Sequence, residues 1–253
     1  MEVREKNYLE VFLDIGKYML ESGAEIFRVE DTIHRLCEAY ALENAQIFAI
    51  RSLILVTVRN ETGEVLTDSR RIYGISTDLG RVEALNALSR SLCEERMEAG
   101  EIRKSTEKIL LKESGNPAEE LFGYVLAAGA FACFFGGNPA DGLAAGLMGM
   151  LLFLIDRYVK GKHTQRFIYI VLSSMAFTAA AMLLKRLFPG LHQDWIMIGT
   201  IMLLVPGMGL MSSLRDMLDN NAINGLFSFL DAVMTAGAIA IGCALPLFLL
   251  GGL

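Results

Sequence analysis

The residues whose types and spacing could do chemistry are concentrated in LLVPGMGLMSSLRDMLDNNAINGLFSFLD, residues 203–231. Pro206 has no backbone N–H to give, and its ring displaces the carbonyl of Met202, so an apolar helix passing through this point must break. Gly207 and Gly209 remove side chains beside the break. Backbone groups freed at membrane depth are tolerated only against protein or a wet cavity, and there they can coordinate a solute. N–H groups at residues 207–209 suit a carboxylate. Asp231 follows about two turns inside the next apolar run, where an unpaired charge costs about 2–3 kcal/mol. It suits an ammonium, a proton or a basic partner, and Arg215 is the nearest cation in sequence. Ser212, Ser213, Asp216 and Asp219 lie between, the two acids at a membrane boundary where solvation also explains them. A proline kink satisfied by a neighbouring helix is the plainer alternative for Pro206.

A second constellation is Gly136-Gly137-Asn138-Pro139 with Asp141, a turn followed by a helix start. Asp141 could accept from an ammonium, or simply serve as a first-turn acid. Asp156 and Arg157 read as boundary residues that snorkel. Near the N-terminus, Asp14, Glu25, Arg28, Glu30, Asp31 and His34 are the candidates for catalysis, but i,i+4 ion pairs on a solvated helix face account for them. There is no nucleophile elbow, phosphate loop, ATP-binding motif or metal-ligand spacing, so no catalytic, metal or cofactor residue is assigned. Cys37, Cys93, Cys133 and Cys243 show no CxxC pattern and read as free thiols. A net charge of −6 argues against a nucleic-acid partner.

The elements that must position these residues differ between the two parts of the chain. Residues 1–115 are charge-rich and predict a cytoplasmic α+β domain: a helix over 4–22, then a second to about Tyr40 opened by a Ser22-Gly-Ala-Glu25 capping box. The second helix is expected to bury Ile26, Phe27, Val29, Ile33, Leu36 and Cys37. QIFAIRSLILVTV, a turn at Asn60-Glu61-Thr62-Gly63 and EVLTDSRRIYG predict two or three antiparallel strands, followed by helices from Asp78 and over 101–112. Residues 116–253 predict an all-α membrane domain of five spans, near 120–135, 139–158, 167–184, 195–214 and 225–250. The acidic N-terminus lacks the apolar core of a secretory signal. With it inside, the cytoplasmic flanks hold Arg103, Lys104, Lys108, Lys112, Arg157, Lys160, Lys162, Arg166 and Arg215, against Lys185 and Arg186 outside. That predicts N-in and C-out. Small residues such as Gly142, Gly146 and Gly149 suit close helix packing.

Three stretches resemble the threonine/serine exporter family. They are SGAEIFRVEDTIHRLCEAYAL (22–42), FFGGNPADG (134–142) and VPGMGLMSSLRDML (205–218), the last followed by Gly225 and Asp231. One departure is Ser212, where family members often carry Asn after Pro-Gly. The resemblance implies a multi-pass subunit of a bacterial inner-membrane exporter, not an enzyme, needing no cofactor. Its cargo would be threonine or serine, with a dicarboxylate such as succinate the alternative, and the coupling would be to protons. It also implies a smaller membrane subunit of the same family as partner, and an oligomer in lipid. Substrate would fall to Gly136, Gly137, Asp141, Pro206, Gly207, Ser212, Arg215 and Asp216, and the proton to Asp231. A membrane-anchored hydrolase or a sensor domain are the competing classes.

Overall fold

The apolar stripe of the first helix turns inward. In a computed structural model, which describes residues 2–59, 63–112, 115–159, 165–218 and 221–250, helix α1 (Glu2–Glu21) buries Leu9, Phe12, Leu13, Ile15, Met19 and Leu20. Each contributes about 1.5–3 kcal/mol relative to exposure. Helix α2 (Ile26–Ala39) adds Val29, Ile33, Leu36 and Cys37 to the same core. Phe27 departs from expectation: it is 58% exposed, and Thr32 takes a buried place instead. The expected capping box does not form either, since the N-cap is Glu25 and its side chain makes no capping bond.

Strands β1 (Glu43–Ile50), β2 (Leu53–Arg59) and β3 (Val65–Arg71) make an antiparallel sheet in that order. Along β2, Ile54, Val56 and Val58 point into the core while Leu55 and Thr57 point away, the period-2 alternation of a half-covered sheet. Of the expected Asn60–Gly63 turn, residues 60–62 lie outside the described residues, as do Lys160, Lys162 and Asp219. Asp78 caps α3 (Leu79–Glu94) by accepting from Arg81 N–H, and α4 (Ala99–Leu111) begins two residues before its expected start. Backbone contacts divide the chain into two units, Met1–Ser114 and Gly115–Leu253.

Among its described residues, the regular elements of the second unit are all helices. Asn116 caps α5 (Pro117–Phe134) by accepting from Ala118 N–H, with Pro117 at the first position. Helices α6 (Pro139–Val159), α7 (Arg166–Leu187) and α10 (Ala222–Leu250) follow, and stretches of these three are long and apolar enough to cross a membrane. The expected fourth span is not one helix. It is α8 (Gln193–Ile201) and α9 (Gly207–Leu218), separated by residues 202–206. The interruption starts four residues before Pro206, because proline disfavours helical geometry in the residue ahead of it and offers no N–H. Short-range bonds take up part of the loss: Leu203 N–H to Thr200 O, Leu204 N–H to Ile201 O and Gly207 N–H to Val205 O.

Helices α5, α6 and α8 pack on one another, α7 lies against α6 and α8, α10 against α7, and α9 against α10. Helices α7 and α10 run parallel. Arg166 at the start of α7 meets Asp231, and further up Gly242 of α10 sits against Val171 and Ser174.

Candidate functional site

Asp141 is fully buried, and its environment is built from two helix starts. Asn138 and Asp141 form a reciprocal cap on α6: Asp141 N–H donates to Asn138 Oδ1 at 2.8 Å, and Asn138 N–H donates to Asp141 Oδ2 at 2.9 Å. The other carboxylate oxygen accepts from His192 N–H at 2.7 Å, and His192 Nδ1 lies 3.0 Å from Oδ2. His192 is the N-cap of α8, so one carboxylate holds the positive ends of α6 and α8 together. Beside it, Gly136 (φ +119°) and Gly137 turn the chain against Trp195. A Cβ on Gly137 would sit 2.8 Å from Ala132 O and 3.0 Å from Trp195 Cβ. Each residue of this cluster is explained by joining α5, α6 and α8.

Asp231 lies at the other end of α7. Arg166 partners it, Nη1 to Oδ2 at 3.2 Å, and Arg215, the nearest cation in sequence, is exposed on α9. The pair is partly open, with side chains 58% and 43% exposed. One turn along α7, Tyr169 Oη donates to Asp156 Oδ1 of α6 at 2.6 Å.

Between α9 and α10 runs a polar seam. Ser213 and Asp216 of α9 are buried, the acid at 8% exposure, which sets aside the alternative of a solvated boundary acid. Ser213 Oγ donates to Leu210 O at 2.7 Å, whereas Ser212 is only half-buried. Asn224, Ser228 and Thr235 of α10 are buried. With Asp231 they follow the spacing i, i+4, i+7, i+11, which is one face of a helix. That face was readable in the sequence, where only Asp231 was singled out. Gly225 permits the contact, since a Cβ there would meet Ser213 O at 2.9 Å. Pro206 and Gly207 stand at the head of α9, where the first-turn N–H groups have no carbonyl within the helix to bond.

The acids of the first unit are tied into structure. Asp14 and Asp68 both hold Arg70, at 2.7 and 2.8 Å. Burial works against the charge of Arg70, and the hydrogen bonds to the two acids outweigh it and raise its pKa. Glu30 accepts from Ala49 N–H at 2.8 Å, Asp31 pairs with Arg35 and His34 lies beside Glu38. Burial pushes the Cys37 thiol up to about 12, with the charge of Glu38 adding to it. Among the described residues no cluster of His, Cys, Asp and Glu could hold a metal.

Compared with known families, residues 10–250 match the ThrE family of threonine/serine exporters. The chain belongs to that family. No curated protein and no solved structure matches it. The exporter is thus a membrane protein of a transport family, and its candidate residues fall into two groups. Asp141 adjoins His192, five residues beyond the end of α7, and Asp231 adjoins its first residue. Helix α7 has 22 residues, so the groups are about 33 Å apart. A single amino acid cannot touch both.

Proposed function

We propose that the chain is one subunit of a secondary-active exporter of threonine or serine, driven by protons and seated in a bacterial cell membrane. It crosses five times, α8 and α9 together forming the fourth pass, with residues 1–115 cytoplasmic and the C-terminus outside. The observation that carries this reading is the interruption between α8 and α9 in a chain of the exporter family. The first turn of α9, at Met208 and Gly209, is suited to the amino-acid carboxylate. Asp231, on the seam with α10, is suited to the proton, and Ser212, Arg215 and Asp216 lie along the path the solute takes. Asp141 is sealed among its partners, so its part, with Gly136 and Gly137, is to hold the scaffold.

Helix α10 packs on α7 and α9 and exposes Phe227, Leu230, Val233, Met234 and Ile241. Lipid covers part of this face and the smaller membrane subunit of the family the rest. The test is efflux from vesicles holding this chain with and without that subunit, comparing threonine, serine and succinate. Gradient-driven loss of the two hydroxy amino acids supports the reading. Succinate as the sole cargo moves it to the dicarboxylate alternative, and no efflux from the pair sinks it.

A further inference from the structure

Asp156 looks unremarkable in sequence, an acid in the last turn of a span. Its neighbours are less ordinary. Tyr169 of α7 donates to it at 2.6 Å, and Tyr124 of α5 comes near the same carboxylate, so three helices meet at one acid. Tyr169 is 8% exposed, and the Tyr124 ring is fixed edge-on against Phe153 at 5.7 Å. Above Tyr169, one turn along α7, Ser173 Oγ comes near the tyrosine hydroxyl without a well-formed hydrogen bond. Ser174 and Thr178 continue that buried face, and all three hydroxyl oxygens lack a hydrogen-bond partner. Leaving such groups unsatisfied costs about 1–3 kcal/mol each, so a face carrying three of them calls for a use.

The hydrogen-bond inventory supplies one. A carboxylate only accepts, whereas a carboxylic acid has an O–H to donate. When a proton from water binds Asp156, its new O–H can donate to Tyr169 Oη. The tyrosine keeps its own hydrogen, which then turns towards Ser173 Oγ and gives that atom the donor it lacks. We propose that Asp156 is a proton-binding site of this protein and that Tyr169 passes its protonation state to the buried hydroxyl face of α7. No bond but the carboxyl O–H forms, and the proton returns to water on release. The charged groups around Asp156 include, among the described residues, Glu120 on α5, Arg157 beside it on α6 and Arg166 one turn before Tyr169 on α7. Arg166 is directed to Asp231. Helix α8 carries Asp194 in its first turn, at the far end from Asp156. The proposal rests on the exporter reading for its purpose, since a transporter run by protons needs groups that bind them, but not for its test.

That test is infrared difference spectroscopy of the purified full chain in lipid, acidic minus neutral, with no solute and no gradient. One carboxylic C=O component is expected in wild type that is lost in Asp156→Asn and retained in Asp231→Asn. Tyr169→Phe should keep the band but move its frequency, because the acid loses its partner. Ser173→Ala should keep the band and alter only the tyrosine hydroxyl signal. A spectrum of Asp156→Asn identical to wild type overturns the proposal. If that variant does not fold, an unmoved band in Tyr169→Phe does the same. Efflux plays no part, so failure of the export assay and failure of this inference are separate results.

Discussion

Asp231 Oδ2 lies 3.2 Å from Arg166 Nη1, and this pair ties the middle of α10 to the first residue of α7. Both side chains are partly exposed. Neutralising Asp231 leaves no unpaired charge inside the span and should leave the fold intact, which makes this acid a clean target. Protonation of Asp231 would release Arg166 and loosen α7 from α10. Asp231→Asn should consequently abolish gradient-driven efflux while solute exchange without a gradient continues. Efflux at the wild-type rate would remove Asp231 from the coupling step.

Asp141 should behave in the opposite way. It accepts from Asn138 N–H and His192 N–H, and it is fully buried. Truncation orphans two backbone donors and uncouples the starts of α6 and α8, at a cost on the order of 2–4 kcal/mol. Asp141→Ala should lower the melting temperature and the yield of folded protein in detergent. His192→Ala, which keeps the backbone bond to Asp141, should cost less. A fully stable Asp141→Ala that has lost solute affinity would return this acid to the binding site.

Helix packing in the second unit gives a sharper check of the structure itself. A Cβ on Gly199 would sit 2.5 Å from Ala128 O, and one on Gly149 2.5 Å from Tyr124 O, both backbone atoms that cannot step aside. In lipid, such close approach supplies the association that hydrophobicity does not. Gly199→Ala and Gly149→Ala should each destabilise by about 1–3 kcal/mol. Gly237→Ala, where nothing lies within 4 Å, should be neutral in the same thermal assay. Equal stability of all three variants would contradict the α5–α6–α8 arrangement.

Much of the fold was legible because it depends on local rules. The 3.6-residue pattern of α1, the alternation along β2 and the Asn-Pro helix starts each follow from a few adjacent residues. Phe27 was not legible: its spacing fits the apolar stripe, but which side of a helix edge faces the core depends on the neighbouring elements. The candidate site divides the same way. Pro206 announced the break, and the polar spacing of Asn224, Ser228, Asp231 and Thr235 was there to be read. Partners distant in sequence were not. Arg166 is 65 residues from Asp231, and His192 is 51 residues from Asp141. Nothing local distinguishes them from other surface residues, and the same holds for Tyr169 beside Asp156.

Orientation can be tested with the native cysteines. Cys37 is fully buried in the first unit, and burial pushes its thiol up to about 12, so at neutral pH it has almost no reactive thiolate. Cys93 is exposed at the end of α3; partial desolvation raises its pKa too, and Arg35 partly opposes this. A variant keeping only these two cysteines should therefore take up one maleimide in the native state, at Cys93. The rate should rise as pH increases, because the thiolate fraction grows below the raised pKa. Cys37 should react only after denaturation. With residues 1–115 cytoplasmic, a membrane-impermeant maleimide should label Cys93 in inside-out vesicles and not in intact cells. Labelling of intact cells would place the first unit outside and reverse the direction assigned to every helix of the second.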